Sequence, residues 1–354
     1  MQRLALGLMS GTSLDGIDAA LVETDGRTVA RLGAWATRPY DARLREQLRS
    51  VLGGRGDVGA AERALTEAHA AAVAGLLAEA GVAPADVAVI GFHGHTVLHQ
   101  PERRRTWQIG DGALLARLTE RPVVNDFRSS DVAAGGQGAP LVPLYHAALA
   151  SELERPLAVL NLGGVANVTF IGEDGGLLAF DTGPGNAPID DWLRRHRGQA
   201  MDAGGALARA GRIDAARVDA ALAHVYFDRA PPKSLDRDDF TAAMAGDLAA
   251  ADGAATLTEI AARAAAAAVR HFPAPPRRWL VTGGGRHNAA LMAALARNLD
   301  ATVEPVEAVG WRGDALEAEA FAFLAVRSLA GLPLSLPSTT GVPQPVLGGK
   351  LWRP

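Results

Sequence analysis

The sequence has no cysteine, which excludes disulfide bonds, thiolate zinc sites and a cysteine nucleophile. It also lacks a long uncharged apolar run. The longest apolar stretch, around Ala261 to Val269, is rich in alanine and contains Arg263, which predicts a buried helix rather than a membrane span. The first residues do not form a basic segment followed by an apolar run, so we expect no signal peptide. These absences favour a cytoplasmic protein with no membrane partner.

The chain also lacks a concentrated positive charge and a P-loop motif. The net charge is −4 and no long basic block occurs, so nucleic acid is not expected as a partner. The glycine motif at residues 282–288 is not the GxGxxG fingerprint, and GxxxxGK[ST] does not occur, which disfavours a Rossmann dehydrogenase and a P-loop enzyme. With 354 residues, 48% of them hydrophobic, the chain can form two α/β domains.

The chain opens with the pattern of an antiparallel β-meander. Strands are predicted at Arg3–Ser10, Asp18–Thr24 and Arg27–Ala36, with a tight turn at Asp25-Gly26. The stretch "LAVLNLGGVANVTFIGEDGGLLAFDTG", residues 157–183, repeats this order of strand, glycine break, strand, Asp-Gly turn and strand. Two similar halves predict two lobes that face a cleft, where nucleotides commonly bind.

The remaining pattern completes the two halves. Helices are expected at about 42–52, 60–80 and 113–119, and short strands at 87–92, 106–109 and 122–125. The second meander leads into a mainly helical region up to about His271, a strand at 279–281, a last helix at 314–330 and a loop with a short terminal strand. We therefore expect an N-terminal lobe over 1–125 and a C-terminal lobe over 126–354, with the last helix able to pack back on the first lobe.

Glycine-rich turns follow the first strand of each meander. In "SGTSLDG" the backbone N–H groups can surround an anion, and Thr12 and Ser13 add hydroxyl donors. Asp15 and Asp18 would hold a divalent cation that bridges phosphates. The second turn, "NLGGVAN", offers Gly163-Gly164 with asparagine donors at 161 and 167. Each turn alone could be a plain hairpin, but two in matching positions favour a polyphosphate site.

Two further glycine motifs lie in the second half. "TGGGRHN", residues 282–288, stands between a strand and a helix and could lie against a planar ligand or lead into a helix N-terminus that favours anions. "FDTGPGNAPIDDW" places Asp181 at a strand end beside a glycine turn, a position that suits a general base. The alternative for Asp181 is a helix-capping role.

Other polar residues have weaker signals. Arg128 and Asp131 lie in "NDFRSSDVAAGGQGAPLVP" and could contact a polyol or carboxylate, or the segment could be a hinge. "GFHGHTVLHQP" brings three histidines together on a strand-to-loop segment, without a standard zinc spacing, so we favour substrate hydrogen bonds over a metal. Glu317 and Glu319 lie on the last helix. One of them could face the cleft, but the default interpretation of such a pair is a solvent-exposed helix face.

Together these stretches resemble the anhydro-N-acetylmuramic acid kinases over nearly the whole chain. The motifs that carry the resemblance are "GLMSGTSLDGID", "FHGHTVLHQP", "WQIGD", "NDFRSSDVAAGGQGAPLVP", "NLGGVANVTFI", "FDTGPGNAPID", "PPKS", "TGGGRHN" and "DALEAEAFAFLA". The resemblance implies a two-lobed actin-like (ribonuclease H-like) ATPase fold with an interdomain cleft. It also implies that ATP and water convert 1,6-anhydro-N-acetylmuramic acid into N-acetylmuramic acid 6-phosphate during peptidoglycan recycling, and that the protein is a homodimer.

The resemblance assigns roles to residues of this chain. Asp181 would deprotonate the attacking water, and Glu317 would help to orient it. ATP and Mg²⁺ are the implied cofactors, with Asp15 or Asp18 near the metal. The implied ATP-binding residues are Gly11, Thr12, Ser13, Leu14, Asp15, Gly16, Ile17, Asp18, Gly163, Gly164, Asn167, Gly283, Gly284, Gly285 and Asn288. The implied sugar contacts are His93, Arg128, Asp131, Gly183 and Asn186.

Two alternatives stay open at this point. A kinase of the same fold could act on an unmodified amino sugar, with Asp181 deprotonating a sugar hydroxyl. An actin-like nucleotide module without enzymatic activity is the other. The chain departs from the family pattern at His95, where glutamine is frequent, and at Leu235-Asp236, where Thr-Gly is usual.

Overall fold

The computed structural model describes residues 1–11 and 14–354. The chain forms two compact units, Met1–Glu152 with Ala315–Pro354, and Leu153–Asp314. The sequence predicts a division after residue 125, whereas the compact unit extends to Glu152, because the helix at 129–133 packs on a strand of the first sheet and the helix at 143–149 packs on the last helix. The last helix belongs to the first unit, as its predicted packing back on that lobe requires.

The first unit contains one mixed sheet and its covering helices. Its strands are β1 Arg3–Ser10, β2 Gly16–Thr24, β3 Val29–Pro39, β4 Val89–Gln100, β5 Arg105–Ile109, β6 Val123–Asn125 and β12 Lys350–Trp352. Its helices are α1 Ala42–Ser50, α2 Val58–Ala80, α3 Gly112–Thr119, α4 Ser129–Ala133, α5 Pro143–Leu149, α11 Leu316–Leu329 and α12 Pro337–Thr340. Aspartates cap the first three helices by accepting backbone N–H bonds: Asp41, Asp57 and Asp111.

Alternation along the strands decides which helix covers which face of the first sheet. Leu6 and Phe92 join a core with α2, on which Leu65 and Val73 are buried. Gly7 and Gly91 point to the other face, where the backbone of α11 approaches so closely that a Cβ on Gly7 would lie 1.8 Å from the Ala318 carbonyl oxygen. The period of two residues in a strand thus separates an aliphatic face from a glycine face.

The second unit has a smaller sheet. Its strands are β7 Leu157–Leu162, β8 Val165–Ile171, β9 Leu177–Pro184, β10 Arg278–Thr282 and β11 Thr302–Pro305. Its helices are α6 Ala187–Arg197, α7 Ala206–Ala210, α8 Ala215–Leu222, α9 Ala250–Ala267 and α10 Ala289–Asn298. The alanine-rich α9 is largely buried, as predicted for that stretch. In neither unit does a described helix have the length and apolar character needed to cross a bilayer.

The two sheets share one topology, which confirms the internal repeat. In the first sheet the order is β12-β6-β4-β1-β2-β3, with β5 paired to β4, and in the second it is β11-β10-β7-β8-β9. In each, a three-stranded antiparallel meander is followed by a strand parallel to the meander's first strand. This arrangement is ribonuclease H-like, and the predicted α/β actin-like fold class is confirmed.

The predicted elements agree with the structure in kind, with one notable difference in extent. Strand β4 runs to Gln100, so His93, His95 and His99 all lie within a strand, and the predicted strand-to-loop position was wrong for them. The extension pairs with β5 from His95 onward, and this pairing supplies the backbone partners that a loop would lack. The short terminal strand is confirmed as β12.

Candidate functional site

The turn after β1 has an unusual backbone at Leu14. This leucine has φ of 60°, is buried, and donates its N–H to the Gly11 carbonyl at 3.2 Å. Side chains rarely adopt this left-handed conformation, and such strain concentrates at ligand sites. The turn therefore has backbone strain of the kind found at ligand-binding sites. The predicted contacts Thr12 and Ser13 lie outside the described residues.

The predicted metal-binding carboxylates differ in exposure. Asp15 is exposed, and Asp18 is half-buried on β2. Asp18 pairs in register with Thr37 of β3, whose hydroxyl donates to Asp18 Oδ1 at 2.6 Å. Gly16 and Ile17 are buried, and Ile17 belongs to the core with α2, so a ligand could meet only the backbone of Ile17.

A buried hydrogen-bonded group supports this turn from behind. The Tyr40 hydroxyl donates to Ser10 Oγ at 2.6 Å, and Ser10 Oγ lies 3.0 Å from His95 Nδ1. Burial lowers the pKa of His95 to about 4, which keeps the ring neutral at physiological pH. His95 therefore organises the end of β1, a role that the clustering of histidines in sequence did not reveal.

Helix α11 begins with the two glutamates that the sequence analysis left undecided. Glu319 is fully buried and accepts a hydrogen bond from the Tyr145 hydroxyl at 2.8 Å. Glu317 is exposed. Although part of its side chain is accessible, the surrounding protein desolvates the Glu317 carboxyl and raises its pKa; the Arg128 guanidinium opposes this rise, and Asp18 adds to it. Glu317 thus shares its surroundings with two other predicted site residues, while Glu319 is part of the interior.

The predicted sugar contacts of the first unit form one connected group. Arg128 Nε donates to His93 Nε2 at 3.1 Å, and its Nη1 donates to the Gly138 carbonyl at 2.7 Å. Asp131 is buried and accepts from the Gly138 N–H at 2.6 Å and from the Thr340 hydroxyl at 2.5 Å. One oxygen of Asp131 thus holds the glycine-rich segment and the other holds α12, whereas Arg128 is half-exposed near Glu317.

In the second unit, strand register creates a row of polar residues across four strands. Asn161 of β7 pairs with Thr282 of β10 and with Asn167 of β8, and Asn167 pairs with Asp181 of β9. Directly paired residues place their side chains on the same face of a sheet. We call Thr282, Asn161, Asn167 and Asp181 the polar row. Register therefore joins motifs that are widely separated in sequence.

Asp181 stands at the end of the polar row in a half-buried position. Its Oδ2 accepts the Leu235 N–H at 2.9 Å. Desolvation raises its pKa to about 7, the Leu235 N–H lowers it, and Asp236 raises it further. The capping alternative is excluded, because Asp181 accepts this loop N–H and residue 186 occupies the N-cap of α6. A carboxylate with this pKa suits a general base at neutral pH.

The second glycine turn is held by the start of α6. Asn186 donates its side-chain amide to the Leu162 carbonyl at 2.7 Å and its backbone N–H to the Gly163 carbonyl at 2.8 Å. Gly185 donates its N–H to the Gly164 carbonyl at 3.0 Å. The Asn186 side chain thus shapes the turn, and Gly183 is buried at the end of β9.

The triple-glycine motif combines one tight glycine with one open glycine. Gly283 has φ of 76°, and a Cβ there would lie 2.3 Å from Asn161 Oδ1. Gly284 has nothing within 4 Å of its Cβ direction, so a flat ligand could lie against it. Gly285 is buried. The neighbouring Asn288 side chain caps α10 by accepting the Leu291 N–H at 3.1 Å.

Arg286 anchors this motif within the second unit, a contact that sequence reasoning missed. Its side chain is almost fully buried and forms ion pairs with Glu307 at 2.9 Å and with Asp314 at 2.7 Å. It also donates to the Gly283 carbonyl at 3.0 Å. Arginine is rarely buried unless acidic side chains pair with it. Because Glu307 and Asp314 are both distant from Arg286 in sequence, no local pattern predicts these ion pairs.

Comparison with known proteins places these features in one family. The family profile described as anhydro-N-acetylmuramic acid kinase matches residues 3–353. The protein named anhydro-N-acetylmuramic acid kinase from Paramagnetospirillum magneticum is 63% identical over 351 residues, covering 98% of this chain and 99% of that protein. The relative with the same name from Rhodospirillum rubrum is 60% identical, covering 98% and 94%. The chain belongs to the anhydro-N-acetylmuramic acid kinase family.

Solved structures of low sequence identity also align with the chain. The Acidaminococcus fermentans (R)-2-hydroxyglutaryl-CoA dehydratase component A is 14% identical with a TM-score of 0.48, covering 93% of this chain and 99% of that one. A ROK family glucokinase from Streptomyces griseus, solved with glucose and AMPPNP, is 18% identical with a TM-score of 0.42, covering 91% and 99%.

In this member of the anhydro-N-acetylmuramic acid kinase family the predicted residues form separate groups within the two units. The first unit brings Glu317 together with Asp18 and Arg128. The second unit brings Asn167 and Asp181 into the polar row. Among residues 1–11 and 14–354, no group of three His, Asp or Glu side chains could by itself hold a metal ion. Each of the three histidines of β4 has its Nδ1 within hydrogen-bond distance of a protein oxygen.

Proposed function

We propose that Asp181 is the general base of an ATP-dependent anhydro-N-acetylmuramic acid kinase. The kinase converts 1,6-anhydro-N-acetylmuramic acid, water and ATP into N-acetylmuramic acid 6-phosphate and ADP in peptidoglycan recycling. The observation that carries the role of Asp181 is its position in the polar row with a pKa raised to about 7. At that pKa a large fraction is deprotonated at neutral pH, while the carboxylate is still basic enough to accept a proton.

The proposed chemistry joins ring opening to phosphoryl transfer. Asp181 takes a proton from water as the water oxygen bonds to the anomeric carbon. The bond between that carbon and the bridging O6 breaks, and O6 takes the γ-phosphoryl group while ADP leaves. Because the two steps are coupled, O6 never carries a full alkoxide charge. Phosphoryl transfer of this kind depends mainly on positioning and charge neutralisation.

The residues of the first turn are proposed to hold the ATP phosphates. Gly11 and Leu14 supply backbone groups of a strained turn, and Gly163-Gly164 forms the corresponding turn of the second unit. Gly284 offers an open backbone surface for the adenosine, with Gly283 and Gly285 supporting it. Asn167 of the polar row would donate to a phosphate oxygen, and Asn288 contributes by fixing the start of α10.

The carboxylates of Asp15 and Asp18 fit Mg²⁺, which prefers oxygen ligands and is commonly bound by one or two carboxylates together with substrate phosphates. Their position beside the first turn and the exposure of Asp15 support this assignment. When bound, Mg²⁺ would neutralise charge on the phosphates. Asp18 is oriented for such a role by the Thr37 hydroxyl.

The proposed sugar-contact residues are Arg128 and Glu317 in the first unit and, considered separately, Gly183 and the segment around Asn186 in the second unit. His93 and Asp131 act in this proposal by orienting Arg128 and the segment at Gly138. Glu317 would help to orient the water. The family resemblance further supports a cytoplasmic homodimer, and light scattering during size-exclusion chromatography would measure the oligomeric state.

An isotope experiment tests the proposal. Purified enzyme is incubated with ATP, Mg²⁺, ¹⁸O-labelled water and 1,6-anhydro-N-acetylmuramic acid, and the product is analysed by mass spectrometry under conditions that limit anomeric exchange. We expect a 6-phosphorylated sugar with ¹⁸O at the anomeric carbon, and loss of this product in Asp181→Asn. Phosphorylation of an unmodified amino sugar without turnover of the anhydro sugar would support the other kinase activity instead.

A further inference from the structure

Lys233 is one of two lysines in a chain with 35 lysine and arginine residues; the other is Lys350. It lies in the "PPKS" segment, to which the proposed chemistry assigns no role. The Lys233 ammonium is within hydrogen-bond distance of the Tyr226 carbonyl at 3.1 Å, the Phe227 carbonyl at 3.3 Å and His271 Nε2 at 3.2 Å. An ammonium group has three N–H donors, and here two of them meet backbone carbonyl acceptors.

The surroundings of Lys233 act on its ammonium group in opposite directions. Its Nζ lies 4.6 Å from the centroid of the Tyr226 ring, a distance typical of a cation–π contact. Burial lowers the pKa of Lys233 to about 8; Arg270 and Arg229 lower it further, and Asp228 opposes them. Burial also lowers the pKa of His271, whose Nε2 lies 3.2 Å from both the Lys233 ammonium and the Phe227 carbonyl.

The same residues form a hydrogen-bond network around Asp181. The Asp181 N–H donates to the Lys233 carbonyl at 3.0 Å, and the Tyr226 hydroxyl donates to the Asp181 carbonyl at 2.5 Å. Leu235, two residues after Lys233, donates its N–H to Asp181 Oδ2 at 2.9 Å. Because Lys233 Nζ in turn binds the Tyr226 carbonyl, each member is held by the others. We call Asp181, Tyr226, Lys233 and Leu235 the aspartate clamp.

We propose that Lys233 and Tyr226 are positioning residues that orient the Asp181 carboxylate through the aspartate clamp. The clamp keeps the Leu235 N–H on Oδ2, and among the described residues no hydrogen bond is donated to Oδ1, which is thereby left to accept the proton. This inference rests on the proposed role of Asp181 as the base.

Loss of the clamp has a predictable effect on the base. Without the Lys233 ammonium, the Tyr226 and Phe227 carbonyls lose a donor, and the loop that carries Leu235 loses its anchor. Loss of a hydrogen bond to a carboxylate raises its pKa, and Asp236 beside Asp181 acts in the same direction. The acidic limb of the pH–rate profile should therefore move to higher pH.

The test compares full-length variants by ADP release with the anhydro sugar over a range of pH. For Lys233→Met and Tyr226→Phe we expect kcat to fall at least about tenfold, the KM for ATP to stay within about twofold, and the acidic limb of kcat/KM to move to higher pH. Lys350→Met, at an exposed lysine over Trp352, is the matched control and should behave as wild type. Tyr226→Phe removes only a hydroxyl and remains informative if Lys233→Met does not fold.

The outcomes separate this inference from the proposed function. If folded Tyr226→Phe or Lys233→Met keeps the wild-type kcat and the wild-type acidic limb, the positioning role is overturned. A lowered melting temperature with unchanged kcat and acidic limb would likewise show a purely structural role. If Asp181→Asn retains full turnover, the proposed base is wrong whatever the clamp variants do. Loss of turnover in Asp181→Asn together with shifted limbs in the clamp variants would support both.

Discussion

The ionisation of Asp181 connects its environment to the rate of the enzyme. Its pKa is raised to about 7 chiefly by desolvation. The base acts only when deprotonated, and kcat/KM reports ionisation in the free enzyme. We therefore expect kcat/KM for the anhydro sugar to rise tenfold per pH unit below about pH 7 and to level above it. An acidic limb near pH 4, the ordinary range of an aspartate, would contradict this assignment.

The same desolvation has a consequence for stability. The folded-state pKa of Asp181 lies above its ordinary value of 3.8, so the folded state binds more protons than the unfolded state between these values. Stability from this group is therefore lost as the pH rises from about 4 to 7. Asp181→Asn removes the buried charge, and we expect its melting temperature relative to wild type to be higher at pH 8 than at pH 5.

Asp25 provides a control with the opposite sign. Backbone N–H groups of Thr28 and Arg27 donate to its carboxylate at 2.8 Å and lower its pKa. The stability that this group contributes is present at neutral pH and is lost as the pH falls through the lowered pKa. Asp25→Asn should therefore destabilise the protein at pH 8 and less so in acid. A parallel response of both variants would refute the assigned cause.

Several residue positions could be predicted from sequence because the local pattern determines them. Asp181 follows from a carboxylate at a strand end beside glycines, and Asp15 from its place in a glycine turn. The buried positions of Asp131 and Glu319 were not predictable, because their partners Thr340 and Tyr145 are distant in sequence. Lys233 was visible only as part of a recognised motif, since its acceptors are backbone carbonyls.

At the scale of elements, the contact between α11 and the first sheet depends on glycines. A Cβ on Gly7 would lie 1.8 Å from the Ala318 carbonyl oxygen and 2.5 Å from the Ala322 nitrogen, both in the helix that begins beside Glu317. Gly7→Ala should thus destabilise the protein by about 3 kcal/mol, as overpacking against rigid backbone does. Urea unfolding monitored by circular dichroism measures the change.

Gly59 is the matched control for this substitution. It lies in the first turn of α2, where the nearest atom to an added Cβ is the Asp57 side-chain oxygen at 3.8 Å. Since alanine favours helix over glycine, Gly59→Ala should stabilise the protein by up to about 1 kcal/mol. A Gly7→Ala variant as stable as Gly59→Ala would show that α11 can shift without cost.

The order of the elements along the chain was largely predictable, but the pairing and register of the strands were not. Alternation and Asp-Gly turns predict both meanders, and the repeat predicts a common topology. The full length of β4 could not be predicted, because residues after His95 become a strand only through pairing with β5. The polar row likewise depends on register between β10, β7, β8 and β9, which no short motif encodes.

At the scale of the whole molecule, the two units differ in how the chain builds them. The second is one continuous segment, Leu153–Asp314, and the first needs both ends of the chain. Residues 1–152 alone lack α11, whose Phe321, Phe323 and Leu324 are buried. They also lack β12, which pairs with β6. Exposed glycine-lined strands and an open sheet edge make such a fragment aggregation-prone.

We therefore expect the segment 153–314 to fold alone and the segment 1–152 to fail to do so. Far-UV circular dichroism and urea unfolding of each purified segment measure this directly. Addition of a 315–354 peptide to freshly refolded 1–152 should restore a cooperative transition, because ring contacts such as Phe127–Phe321 and Tyr145–Phe323 lie entirely within the first unit. A peptide with Phe321→Ser and Phe323→Ser is the control and should not restore it, since polar groups would then replace the buried rings. Cooperative unfolding of 1–152 without any peptide would contradict the dependence of the first unit on its C-terminal helix.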